Sequence, residues 1–592
     1  MQPRDTYKFN DLLEKSLLLH QQGRLDEARV ILEHLTSKQD KHPQVFYLLG
    51  IIAAQQGDFL LAEEKIQNAI QQAPSNSIYY LNLAHVLQSM DKQEAAADAY
   101  SQAIQLNPSD ATAYFYRGIT LSALNRHDEA IASLNESIRI QPNHAQSHFA
   151  LGNVLQTLSQ YANSVDCYCK AIELNPCYAE ALSNLGCALH QLKRYTEALH
   201  AFDQAISLNP QLADAYLNRG NTLQECVRFE EAVSDYEHAI RLKPDFALAH
   251  NNRGNAQHEL LRLDEATASY HQALHIEPNL AETRWNLALS YLLLGNYETG
   301  WRYFESRWHY HQSGLRLPQL SPSLVENAPR SLSNLKILVH AEQGLGDTIQ
   351  FCRFLVCLQS CGATVYFDAQ SALGSVFKTL AGVDAYIERD KTLPDFDFHC
   401  PLLSLPLILN TTIDTIPYSA GYLQSDPRKV NEWSERLGSK KRPRIGLVWS
   451  GNPNFKNDHL RSLTLDLLLP YLPVQFDYFC LQKELRKNDS QLIKNSKIQF
   501  LGDEIVDFSD TAALCSLMDL VISSDTSVAH LAGALGKKTW MLLSYVPDWR
   551  WHLGRSDSPW YDSMKLYRQS ADRSWTTVIE RIVQDLAQEF LK

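Results

Sequence analysis

Three short runs in the second half of this 592-residue chain put polar residues where a strand pattern gives way to a helix pattern. The first is Gly344-Leu345-Gly346-Asp347. It is not a dinucleotide fingerprint, because the third glycine position is Ile349, and an aspartate at a helix start repels pyrophosphate. Two roles stay open for Asp347. It can cap the helix, accepting backbone N–H bonds at the positive end of the dipole, or face a cleft as a general base that takes the proton of an acceptor hydroxyl. The second run, Trp449-Ser450-Gly451-Asn452-Pro453, is followed in a polar loop by Lys456 and Arg461, either solvated charges or cations for a phosphate. The third is Asp525-Thr526-Ser527, where DLVISS meets VAHLAGAL. Exposed amides and hydroxyls at such a start make an anion site, and a plain cap is compatible with that role. His530, one turn on, either packs or points at the anion. Arg550 and Arg555, interleaved with Trp549 and Trp551, either close on phosphate, stack on an acceptor or pack a domain junction.

The elements that must position these residues follow from the apolar pattern. KILVHAE, ATVYFDA, PRIGLVWSG, FDYFCLQ and DLVISSD read as buried strands alternating with helices, which implies βαβ units and parallel sheets. Strand ends punctuated by Gly344 and Gly451 lie roughly a hundred residues apart, suggesting two Rossmann-like halves over 335–430 and 431–592. An active site would lie between them, outside the carboxyl ends of the strands. A stretch rich in serine and proline, residues 315–334, reads as a linker.

Before it, the chain repeats itself. Pro74, Pro108, Pro142, Pro176, Pro210, Pro244 and Pro278 are each thirty-four residues apart, and Gly118, Gly152, Gly186, Gly220 and Gly254 keep the same step. Small residues let paired helices approach, and proline ends the second helix of each pair. The pattern resembles the tetratricopeptide repeat, with about nine repeats over residues 1–314, an all-α solenoid. Its first helices would line a groove. Asn82, Asn184, Asn218, Asn252 and Asn286 share one phase there, with Asn153, Asn221 and Asn255 three residues on. Such amides either hold an extended peptide by donor and acceptor or are ordinary repeat residues.

Bulk properties exclude some functions. A net charge of −13 gives no broad positive field for nucleic acid. No run approaches the roughly 20 apolar residues of a membrane span, and the charged start lacks a secretory pattern, so a cytoplasmic location is expected. Eleven cysteines without CxxC spacing argue against disulfides and zinc, and Cys352, Cys357 and Cys361 read as small buried hydrophobes on one helix.

Four blocks in order, EQGLGDTIQFCRF, GLVWSGNPNFKNDHLRS, SDTSVAHLAGALGKKTW and DWRWHLGRSDSPWYDSMKLYRQ, resemble the bacterial tetratricopeptide-repeat glycosyltransferases. Their catalytic part is similar to glycosyltransferase family 9, the heptosyltransferase-like enzymes. The resemblance implies a glycosyltransferase B fold, a nucleotide-sugar donor as substrate, no cofactor and no bound metal. It implies a base role for Asp347 beside Gly346, and phosphate contact by Lys456. It also places Ser450, Gly451, Asn452, Arg461, Gln482, Asp525, Thr526, Ser527 and His530 around the donor. Lys483, Asp510 and Thr511 would border the nucleoside. Asp395-Phe396-Asp397 imitates a metal-binding DxD but precedes an apolar segment, and a metal role is rejected. The expected activity is sugar transfer to an acceptor hydroxyl, with the repeat groove, including Asn218, Asn252 and Asn286, holding a protein acceptor. The alternatives are an inactive repeat scaffold or a transferase for lipid-linked or polysaccharide acceptors.

Overall fold

A computed structural model describes residues 3–37, 42–310, 320–327, 329–378, 380–389, 391–453 and 458–591. From Pro3 to Phe304 the described chain forms eighteen helices in pairs, the first pair Pro3–Gln21 and Leu25–Ser37, the last Ala281–Leu293 and Tyr297–Phe304. From Phe59–Gln72 to Leu263–Ile276 every second helix stops two residues before a proline of the series. Proline forces its predecessor out of the helical region, which ends the helix there. The phased glycines answer a steric demand: a Cβ at Gly152 or Gly220 would stand 2.6 or 2.7 Å from the ring of Tyr168 or Tyr236 in the partner helix.

By its contacts the chain divides into two compact units, Met1–Pro244 and Asp245–Lys592. The second unit takes the last repeats together with two parallel sheets. One holds β1 (Lys336–His340), β2 (Thr364–Ala369), β3 (Ala385–Glu388) and β4 (Phe398–Pro401) in the order β3-β2-β1-β4. The other holds β5 (Arg444–Val448), β6 (Asp477–Cys480), β7 (Ile498–Phe500), β8 (Leu520–Ser524), β9 (Thr539–Leu543) and β10 (Met564–Arg568) in the order β10-β9-β8-β5-β6-β7. β5, β8 and β9 are buried along their whole length, as strands covered on both faces must be. Strand order reverses between β1 and β4 and between β5 and β8, the points at which doubly wound sheets receive ligands.

The last repeats are part of this unit's core. Leu292, Tyr297, Trp301 and Phe304 share one apolar cluster with Val339, Phe351, Trp549, Trp551 and Trp560. The Trp301 indole donates to the Thr411 carbonyl at 3.2 Å. Arg307, fully buried, reaches Glu342 just beyond β1 (3.1 Å) and the Ser404 hydroxyl just beyond β4 (2.7 Å). Glu342 also accepts the amides of Leu402 and Leu403, and burial raises its carboxyl to about 7 against the pull of Arg307. The reversal point of the first sheet is therefore filled by protein. The segment read as a linker is pinned where it is described: Leu324 donates to the His399 carbonyl at 2.8 Å and is itself buried.

Candidate functional site

At the reversal point of the second sheet, the chain leaving β5 folds back on itself. Gln482, beyond β6, accepts the amides of Trp449 (2.8 Å) and Ser450 (3.2 Å) and donates to the Ser450 hydroxyl (3.1 Å). The Gly451 amide donates to Ser462 at 3.0 Å, and a Cβ at Gly451 would collide with Arg461 and Asp458 at 2.8 Å. Arg461 donates to the Asp525 carbonyl at 3.1 Å, tying this loop to the end of β8. Asn452 is exposed at the turn. Lys456 lies outside the described residues.

Beyond β8, Thr526 is the N-cap of helix Ser527–Ala534 and its hydroxyl lies 3.2 Å from that of Ser523. Among the described residues the amides of Ser527 and Val528 have no recorded acceptor, as the first turn of a helix requires unless something caps it. Opposite stands helix Leu345–Phe351, which opens beyond β1. The two helices meet at Gly346, where a Cβ would stand 2.9 Å from the His530 ring and 3.5 Å from the Ser527 Cα. Ends of both sheets thus face each other through adjoining helix starts.

Asp347 caps its helix, the first of the two roles open to it, and its remaining oxygen is taken by an arginine. One carboxylate oxygen accepts the Gly344 amide at 3.0 Å, capping its helix, and the other pairs with Arg550. Arg550 also binds Gln350 and, at 2.8 Å, Asp548. Burial raises the Asp347 carboxyl and Arg550 opposes the rise. Burial works against the Arg550 charge too, yet Asp548 and Asp347 hold the guanidinium protonated.

The neighbouring indole carries the second carboxylate. Trp551 Nε1 donates to Asp525 at 2.8 Å, and the Trp551 ring stacks on His530 at 5.5 Å between centroids. Burial first, then the charge of Asp548, pushes Asp525 up to about 6. His530 lies 3.7 Å from Asp525 and 3.0 Å from the Tyr561 hydroxyl; burial and nearby arginines keep it neutral. The arrangement offers free amides and arginines to an anion, with two carboxylates beside it whose protons are held more firmly than usual.

The structure brings Gly346, Asp347, Arg461, Asp525, Ser527, His530 and Arg550 together. It does not bring Arg555, which pairs with Asp557 at 2.6 Å. Asp510 is occupied by Trp433 (2.9 Å), Lys429 (3.0 Å) and the Val506 amide (2.9 Å), and Lys483 donates to the Val506 carbonyl. Asp397 accepts the Lys336 amide at the start of β1, the task that explains half of the DxD imitation. Cys352 is buried, but Cys357 is half-buried and Cys361 exposed, because the expected single helix breaks into Leu345–Phe351, a tight turn and Leu355–Ser360. Asp548, Gln350 and His552 complete the site without having been singled out; only the charge of Asp548 beside Arg550 hinted at them.

In the repeats, Asn184 donates to Asn153 (2.9 Å) and Asn286 to Asn255 (2.8 Å). Asn153 also accepts the Tyr168 hydroxyl, and Asn252 accepts from Asn251. The first two bonds link neighbouring repeats, and the other two lie within a repeat. Among such residues Asn153, Gln156, Asn184 and Gln191 border a polar pocket of about 390 Å³.

Models described as tetratricopeptide repeat match residues 13–77, 81–145, 145–176 and 179–212, and one described as TPR repeat matches 228–260. The chain thus carries tetratricopeptide repeats across these residues. Protein FlbA of Caulobacter vibrioides is 25% identical over 337 residues, which are 52% of this chain and 55% of FlbA. The chain thus spans about half the length of the curated relative it matches. Among solved structures, YrrB, a TPR protein with an unusual peptide-binding site, is 30% identical, covering 32% of this chain and 97% of its own at a TM-score of 0.29. MamA is 27% identical, covering 29% and 94% at a TM-score of 0.27. A tetratricopeptide repeat protein of Parabacteroides merdae is 19% identical, covering 42% and 98% at 0.35. No helix among the described residues is long and apolar enough to cross a membrane.

Proposed function

We propose, for a chain that carries tetratricopeptide repeats and two parallel sheets behind the last of them, glycosyl transfer from a nucleotide-sugar to an acceptor hydroxyl. The observation that carries the reading is the meeting of the two helix starts at Gly346 and Ser527, each at the exit of a strand beside a reversal point. The fold implied is that of the B class of glycosyltransferases. The diphosphate lies on the amides of Ser527 and Val528, with Arg461 and Lys456 adding charge. Its arrival draws Arg550 from Asp347 towards the phosphate. The freed carboxylate takes the proton of the acceptor hydroxyl as that oxygen bonds to the anomeric carbon. The bond from that carbon to the diphosphate breaks, and its electron pair stays on the phosphate oxygen, stabilised by the cations. The sugar donor is a substrate, and no cofactor enters the step. The repeats dock the acceptor, a protein. The proposed setting is the cytoplasm.

UDP-, ADP- and GDP-sugars are titrated into the full chain while thermal melting and diphosphate release are followed. One donor raises the melting temperature, and Asp347→Asn lowers its turnover about 100-fold or more with binding retained. Absence of stabilisation by every donor would sink the reading. A second reading, a scaffold without turnover, is favoured by one observation: Arg550 already occupies Asp347. Donor binding without turnover in the wild-type chain would select it.

A further inference from the structure

The five residues Asp548–His552 pass between the last repeats and the site, and their side chains divide between the two. Trp549 packs edge-on against Trp301 with centroids 5.3 Å apart and against Phe304 at 6.3 Å. Arg550 turns to Asp347, and Trp551 to Asp525. His552 turns back to the repeats. Its Nδ1 lies 3.2 Å from the Leu293 carbonyl and its Nε2 3.0 Å from the Tyr297 hydroxyl. A carbonyl only accepts, so Nδ1 carries the proton and Nε2 accepts from Tyr297. The ring also stacks on that of Tyr297, with centroids 5.6 Å apart.

The backbone of His552 marks it further. At φ 49°, ψ −172° it lies close to the region that glycine alone visits easily. A β-carbon is tolerated there only where surrounding contacts over-determine the conformation. The contacts present are the two ring bonds and the clamp of Arg568, whose guanidinium donates to the carbonyls of Trp551 (2.5 Å) and Arg555 (3.2 Å). The strained residue directly follows the indole that holds Asp525.

We propose that His552 is a positioning residue: clasped by Tyr297 and Leu293 of the final repeat, it holds the strap whose Arg550 and Trp551 set the site carboxylates Asp347 and Asp525. The final repeat is then part of the site's machinery as well as part of a docking scaffold. The proposal rests on the glycosyl-transfer reading for what the carboxylates do, and on the contacts alone for how they are held.

The test uses the full chain labelled with ¹⁵N, the Trp551 indole N–H signal being assigned by its loss in Trp551→Phe. Tyr297→Phe removes one hydroxyl, and His552→Asn removes the ring. Each is expected to shift the Trp551 indole signal and to weaken binding of the stabilising nucleoside diphosphate about tenfold, with melting nearly unchanged for Tyr297→Phe. Tyr291→Phe is the control, since that hydroxyl binds His271 at 2.8 Å. An indole signal that stays in place in both variants overturns the proposal, as does an equal shift in the control. Should His552→Asn fail to fold, Tyr297→Phe decides alone. If no nucleoside diphosphate binds the wild-type chain while the indole responds, the transferase reading fails and the strap stands. If one binds and the indole is silent, the strap alone fails.

Discussion

Asp525 shows how a single residue can be set against the stability of its own fold. Its carboxyl, raised to about 6 by burial and by Asp548, compares with about 3.9 in an unfolded chain. Between those values the folded state keeps a proton that the unfolded state has released, so stability falls as pH rises through the window and is flat above it. Asp525→Asn removes the penalty and can still accept from the Trp551 indole. The variant is expected to exceed wild type by about 3 kcal/mol at pH 7–8 and to match it near pH 4, as read from urea unfolding across that range. Equal stability at both ends would show that Asp525 is not held in the described surroundings. His530, kept neutral by burial, adds a slope of the opposite sign below the ordinary imidazole value of about 6.5, which is why the variant is compared with wild type at each pH.

At the scale of elements, the site depends on two helix starts touching. Gly346 lies in a helix without a positive φ, so a methyl there brings no backbone strain and a small gain in helix propensity, against which the new contact is read. With a Cβ 2.9 Å from the His530 ring, Gly346→Ala is expected to cost about 1–3 kcal/mol and to weaken donor binding more than Asp347→Asn does. Calorimetry of both variants with the same donor checks the order. The repeat turns show packing overruling local preference. Gly57 takes positive φ at the turn within its repeat, and the same phase holds Val227 at φ 61° and Leu261 at φ 58°. Neither side chain favours that region, but the paired helices leave the turn no other path.

For the whole molecule, the boundary that matters for folding lies inside the repeats. The compact units part at Pro244, and the apolar cluster around Trp301 and Trp549 lies entirely within the second. A chain beginning at residue 245 is expected to fold and keep its near-ultraviolet dichroism. One beginning at residue 311 loses Tyr297, Trp301 and Arg307, leaves Glu342 and Trp549 uncovered, and is expected to aggregate. Burying one tryptophan of this kind contributes about 3–5 kcal/mol, as much as a typical domain can spare. Soluble, folded protein from residue 311 onward would refute this.

Much of the architecture was legible in the residues. The proline and glycine series specified paired helices because helix termination and close approach are local and repeat faithfully. Five of the ten strands stand out as apolar runs, those of β5 and β8 ending in serine or glycine; β3, β4, β7, β9 and β10 do not, being short or lacking a distinctive exit. Asp347, Asp525 and Ser527 are legible as residues at strand exits and helix starts, and Arg461 as a cation in a polar loop. Which of them meet was decided by tertiary structure. Arg550 and Arg555 look alike in sequence, yet one binds Asp347 and the other Asp557. Gln482 braces a loop, and the asparagines of the repeats bond to each other before any ligand arrives. Residue type states what a group can donate or accept, whereas its partner is set by chain segments hundreds of residues away, brought near by packing that no local spacing encodes.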